Sequence, residues 1–209
     1  MSQSASTKEP TEGMTTPSRQ VARRAFAAEL NDATYAFRES EAERAPVFAL
    51  LPTGGSANRY FHVGTIVEAE DIGSDREYWR GRVVDPTGAV FVYAGQYQPE
   101  AANVLRSVEP PAFVSVVGKP RTYETDDGDV LVSIRPESVT VVDAATRNRW
   151  VLETAQRTLE RLEAFGDDDA YAEMARERYG DDVESYREAA LEALESLESD
   201  DGEQADPSG

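Results

Sequence analysis

Four side chains on two neighbouring segments carry the chemistry most easily read from this chain: Arg80 and Arg82, then Phe91 and Tyr93. Between them lies Asp85-Pro86-Thr87-Gly88, where Pro after Asp and a closing Gly predict a tight turn joining two antiparallel strands. Side chains alternate across a strand. Trp79, Gly81 and Val83 therefore share one face and Arg80 and Arg82 the other; after the turn, Val90 and Val92 oppose Ala89, Phe91 and Tyr93. The aliphatic set suits a buried face. Two rings and two guanidinium groups then share the outer one, where rings can stack on flat bases and arginines can meet phosphates or base planes. The competing expectation packs Phe91 and Tyr93 under a helix of the protein itself and pairs the arginines with nearby acids.

A later strand adds Lys119, Arg121 and Tyr123 on one parity, and the strand after it adds Arg135, so the candidate surface is Arg80, Arg82, Phe91, Tyr93, Lys119, Arg121, Tyr123 and Arg135. Little else suggests a reactive centre. His62 is the one histidine, in the middle of an apolar strand, where a half-exposed structural role is expected of it. Cysteine is absent, which removes disulfides, thiolate metal sites and cysteine nucleophiles together. Pro52-Thr53-Gly54-Gly55 lacks the Lys and Ser/Thr of a phosphate-cradling loop. No catalytic residue, metal site or cofactor is expected, and the chain reads as a binding protein rather than an enzyme.

The elements that would position these residues can be read in order. An amphipathic helix is expected over 18–31, with Ser18 as N-cap and Val21, Ala25, Phe26 and Leu30 at helical spacing. A short strand follows, from Pro46 to Leu51. Strands are expected over 59–70, 78–84 and 89–94, a helix over 98–108 stopped by Pro110-Pro111, then strands over 112–124, 130–135 and 139–142. Three strands, a helix and two strands are the order of the five-stranded oligonucleotide-binding (OB) barrel. Gly64 and Gly118 suit the sharp coiling by which a small barrel closes. Beyond residue 143 the pattern turns helical, over 146–165, 169–178 and 183–197. The fold class is thus mainly β with helical extensions. Its expected divisions are a disordered tail (1–17), an N-terminal helix and lead-in strand (18–58), the OB-fold domain (59–143), a C-terminal helical region (144–198) and a disordered acidic tail (199–209).

Charge complicates a nucleic-acid reading, because the formal net charge is −19 and acidic excess disfavours such partners. The distribution softens the objection. Residues 144–209 hold 19 acidic and 7 basic residues, whereas residues 57–143 hold 14 and 8, leaving room for a locally basic face on the barrel. Of 21 basic residues only Lys8 and Lys119 are lysine. Few lysines, many carboxylates and no cysteine suit a very salty cytoplasm, where a Debye length of roughly 3 Å suppresses self-repulsion. Phosphate contacts weaken steeply in such salt while stacking does not, so Phe91 and Tyr93 would carry more of the binding than the arginines. No apolar run approaches a membrane span, and the polar N-terminus is not a signal peptide.

Several segments together resemble one family. Leu50-Leu51-Pro52-Thr53-Gly54, Tyr78-Trp79-Arg80-Gly81-Arg82, the turn at Asp85-Pro86-Thr87-Gly88, Tyr93-Ala94-Gly95-Gln96-Tyr97 and Gly118-Lys119-Pro120-Arg121-Thr122-Tyr123 look like the replication protein A-associated proteins of halophilic archaea. The resemblance covers approximately residues 18 to 165. It implies a cytoplasmic, single-stranded-DNA-binding subunit that works with a larger replication protein A chain as a hetero-oligomer in replication and repair. It also implies that the helix after the barrel docks that partner, through Val151, Ala155, Leu159 and Leu162. Two other readings stay open: an assembly subunit that does not itself grip DNA, and an RNA- or tRNA-binding barrel.

Overall fold

The computed structural model describes residues 21–42 and 45–204. The expected tail over 1–17 and the Ser18 cap lie outside the described residues. The elements are β1 (Arg23–Arg24), α1 (Ala27–Asp32), β2 (Ala36–Arg38), β3 (Val47–Leu50), β4 (Ser56–Ala57), β5 (Tyr60–Asp71), β6 (Trp79–Asp85), β7 (Gly88–Ala94), α2 (Pro99–Ser107), β8 (Ala112–Glu124), β9 (Val130–Val141), α3 (Ala144–Glu163), α4 (Ala170–Tyr179) and α5 (Glu184–Gln204).

Strand alternation dictates the barrel. Tyr60 and Ile66 of β5, Val83 of β6, Val90 and Val92 of β7, Val114 and Val116 of β8, and Val132 and Ile134 of β9 point inward and are buried. The strand order is β5-β6-β7-β9-β8, and β8 pairs back onto β5 to close it. Every pairing around the ring is antiparallel except β7 with β9, which meet in parallel at Val92 and Ile134. This is the closed five-stranded OB barrel. Closure demands close backbone approaches at two glycines: a Cβ on Gly64 would lie 2.4 Å from the Val84 carbonyl oxygen, and one on Gly118 2.4 Å from that of Arg135. Only glycine fits there. Leu105 of α2 fills the space against Gly81 of β6.

The hairpin turn is fixed by one carboxylate. Asp85 Oδ1 accepts from the Thr87 and Gly88 N–H groups at 2.7 and 3.1 Å, and its Oδ2 accepts from the Ala27 N–H at 2.7 Å. Asp85 thereby ties the turn to the start of α1, which supplies the missing cap for that helix.

The N-terminal helix is shorter than expected. It covers Ala27–Asp32, while Arg23 and Arg24 form a parallel strand beside Tyr60 and Phe61 of β5. The open edge of β5 offers ladder partners there, which outweighs helical periodicity. The strand expected to break at Pro136 is continuous, because a bulge at Glu137 of β9, opposite Val117 and Gly118 of β8, absorbs the proline. A small sheet, β2-β3-β4, sits beside the barrel; only its middle strand was expected. Helix α5 runs to Gln204, past the boundary drawn at residue 199.

The helical layer covers one side of the barrel. Trp150 of α3 is buried, donates Nε1–H to the Phe61 carbonyl at 2.9 Å, and meets Phe26 and His62 edge-on at 5.5 and 5.1 Å. Val151 and Ala155 of α3 are buried with Phe26, Val63, Ala190 and Ala193 in the same cluster, and Leu159 packs against it. Leu162 is buried too. The stripe expected to dock a partner is therefore occupied by the chain's own β5 and α5. The helical spacing was right; the face it covers lies within the molecule.

Candidate nucleic-acid interface

The ladder between β6 and β7 pairs Arg80 with Tyr93 and Arg82 with Phe91, and places all four on the outer face, opposite the buried Val83, Val90 and Val92. Phe91 and Tyr93 are half-exposed, with ring centroids 6.4 Å apart and planes tilted by 32°. Neither ring is sealed in the barrel. Helix α1 engages the turn end of the hairpin, through Ala27, Ala28 and Asn31, which contact Asp85, Thr87 and Ala89.

Tyr78 extends the platform and was not singled out from the sequence. Its ring stacks on Tyr93 at 5.9 Å with planes 17° apart, and it is 44 % exposed. A signal was present: Tyr78 has the parity of Arg80 and Arg82 and stands one residue before the strand. Tyr78, Tyr93 and Phe91 make a row of three rings, each spaced as neighbouring stacked groups are. Partial burial and the neighbouring Tyr123 hold the Tyr93 phenol above its ordinary pKa, against the pull of Arg80. It is a neutral ring at working pH.

The two arginines of the hairpin differ. Arg80 lies over Phe91, 5.6 Å from the ring centroid, and is bound by Glu68 at 3.1 Å and by Glu70 of β5. Its hydrogen bond to Glu68 is the main reason its pKa is raised. Arg80 is therefore a support for Phe91, not a phosphate contact, and the alternative in which arginines pair with acids holds for this residue. Arg82 is exposed and makes no ion pair among the described residues.

The β8–β9 residues come to the same side. A cavity of about 470 Å³ is lined by Tyr78 and Tyr93 together with Arg121, Tyr123 and Arg135, with Ser133 and Ile134 at its floor. A second cavity of about 390 Å³ continues from it, sharing Arg121, Thr122 and Arg135 and adding Lys119 and residues of β2 and β3. In the ladder Lys119 faces Arg135 directly. Like charges opposed across a strand pair repel, so an anion between them would relieve this pair. The groove thus runs from a row of rings to a group of three cations. Phe91, Arg80 and Arg82 lie outside both cavities, on the open sheet beside Tyr93.

His62, expected to be half-exposed, is fully buried. Its Nδ1 lies 3.4 Å from the Ala25 carbonyl oxygen and 3.9 Å from Asp85, and the ring abuts Trp150. Burial depresses its pKa, with Asp85 opposing. The helical cover explains the difference: α3 and the segment around Ala25 close over a strand position that β5 alone would leave half open. Among the described residues no group of three or more His, Asp or Glu side chains is placed to hold a metal, and no helix is long and apolar enough to cross a membrane.

No protein-family model matches the chain, and no curated protein matches it. Solved structures do. The Stn1-Ten1 complex of S. pombe aligns with 53 % of this chain and 78 % of its own at 17 % identity, with a TM-score of 0.46. The second single-stranded DNA binding protein (SSBb) of Mycobacterium smegmatis aligns with 43 % of this chain and 89 % of its own at 23 % identity, with a TM-score of 0.34. Asparaginyl-tRNA synthetase from Pyrococcus horikoshii aligns with 41 % of this chain and 20 % of its own at 16 % identity, with a TM-score of 0.33. The barrel assignment stands on this chain's own strand order and register.

Proposed function

We propose that this protein binds single-stranded DNA and serves as an accessory subunit of a replication protein A-type complex in DNA replication and repair. One observation carries this: the ring row Tyr78, Tyr93 and Phe91 lies open on the outer face of β6 and β7 and leads into a groove lined by Arg121 and Arg135. Stacking on such rings is worth roughly 1–3 kcal/mol per base and tolerates any base. It also survives the high salt that suits a chain of net charge −19. Arginine supports this better than lysine would, because a guanidinium can lie flat on a ring or base, and Arg80 already sits over the Phe91 ring.

Partnership with a larger subunit rests on the family resemblance, and the salty cytoplasmic setting on the composition, with few lysines, many carboxylates and no cysteine. The burial of Val151, Ala155 and Leu162 removes the α3 stripe as the docking surface and weakens a purely assembly-based role, which relied on it. A partner would have to use another face.

Fluorescence anisotropy of labelled oligo-dT with the purified chain in molar KCl tests the binding. Saturable binding that persists at that salt is expected, together with weaker binding of oligo-U of equal length. No affinity for DNA at any salt would sink the proposal, and a preference for RNA would move it to the RNA-binding alternative.

A further inference from the structure

We propose that Arg23, Arg157 and Arg161 form a separate oxyanion site that takes a phosphate group. Two adjoining cavities, of about 550 and about 320 Å³, both have these three arginines in their walls. Neither shares a lining residue with the groove at Tyr93 and Arg121. Three guanidinium groups at one place are unexpected in a chain that carries 40 acidic and 21 basic residues, where carboxylates are the commoner neighbours.

The three groups are held to different degrees. Arg161 is fixed: its Nη2 donates to Glu29 Oε1 at 2.7 Å and to Thr158 at 3.0 Å, and its Nε to Thr53 at 3.1 Å. Glu29 is itself buried and also accepts from Thr53 and Thr158, at 2.6 and 2.8 Å. Such a network orients a guanidinium before any ligand arrives. Arg23 stands next to it. A Cβ built on Gly55 would lie 3.1 Å from Arg23 Nη1 and 3.3 Å from Arg161 Cδ, so the two side chains meet over that glycine. Arg23 forms no ion pair among the described residues, whereas its neighbour in sequence, Arg24, which also lines the smaller cavity, is engaged by Phe61 and Glu153.

The electrostatics agree with this geometry. Burial first, and then the charge of Arg161, lower the Arg23 pKa, against the pull of Glu29. Arg157 is mostly exposed and pairs with Glu160 of its own helix at 2.9 Å, a solvent-facing pair from which it can swing over a ligand. Of the acids at the site, Glu29 pairs with Arg161, Glu160 with Arg157, and Asp169 is engaged as the N-cap of α4, so Arg23 is the one of the three cations without an ion pair among the described residues. Planar guanidinium forks match phosphate oxygens in pairs. The phosphate could belong to a free polyphosphate or to the backbone of a bound single strand.

Calorimetric titration of inorganic pyrophosphate into the full chain, at constant KCl, tests the site, with Arg23→Gln/Arg157→Gln as the variant. Arg161 is left intact because its loss would strand the buried Glu29. One-to-one pyrophosphate binding that weakens about tenfold or more in the variant supports a free phosphate as the source. Absent pyrophosphate binding, a salt slope for a long oligo-dT that falls by about two in the variant supports the strand backbone. Neither effect, or pyrophosphate binding unchanged by the variant, overturns the proposal. Circular dichroism confirms folding; should the double variant not fold, Arg157→Gln alone, at an exposed helix position, is judged by the same outcomes. The pyrophosphate arm does not require the aromatic groove to bind DNA.

Discussion

The barrel carries the same small construction on two of its faces. On β5, Arg24 lies over Phe61, 5.1 Å from the ring centroid, and is pinned by Glu153 at 2.7 Å. On β7, Phe91 lies under Arg80 at 5.6 Å, and that arginine is pinned by Glu68 and Glu70. The β5 pair is half-buried against the cluster around Trp150 of α3, which bonds the Phe61 carbonyl. The β7 pair faces outward beside Tyr93 and Tyr78. An arginine braced over a phenylalanine is thus packing on one face and a binding platform on the other. What decides between them is whether a distant helix arrives to cover the ring.

Substitutions should separate the two faces. The double substitution Phe91→Ala/Tyr93→Ala removes two stacking surfaces and is expected to weaken oligo-dT binding by about 2–6 kcal/mol, with little loss of stability because both rings are half-exposed. An unfolded variant, or one that binds as wild type, would place these rings with Phe61 as packing. Trp150→Ala does the reverse. It should cost about 3–5 kcal/mol of stability, read by urea unfolding, while the protein that remains folded keeps its affinity for DNA.

A smaller effect follows from pH on the covered face. The depressed pKa of His62 means that the unfolded chain binds the proton more readily than the folded one. Stability from this group is full above the ordinary value of about 6.5 and is lost as pH falls below it. Urea midpoints between about pH 8 and about pH 5.5 should therefore decline, and His62→Gln should flatten the decline; an unchanged slope would show that other groups cause it. Smallest is the contrast between the hairpin arginines. Arg82→Gln should reduce the salt slope of DNA binding by about one. Arg80→Gln should change it less, since Glu68 and Glu70 already neutralise that charge. Equal slopes for the two variants would mean that the acids release Arg80 to the strand.

Much of this was legible from residue order. The turn at Asp85-Pro86-Thr87-Gly88 and the alternation of Val83, Val90 and Val92 with Arg82, Phe91 and Tyr93 are local, and local patterns survive folding. The helical stripe of α3 was legible as a stripe, but not its occupant, because Ala190 and Ala193 lie nearly forty residues further along. Tyr78 opens the strand expected over 78–84 with the parity of Arg80 and Arg82, but only the stacking on Tyr93 reveals its part in the platform.

By itself the sequence determined the barrel, the hairpin register and which side chains face out, since period-two alternation and turn chemistry act between near neighbours. Tertiary structure alone decided which outward faces stay open. It buried His62, turned the α3 stripe inward, tied Arg80 to β5, and brought Arg23 to Arg161 across more than a hundred residues. Those outcomes depend on long-range packing, where a side chain's role is set by what covers it.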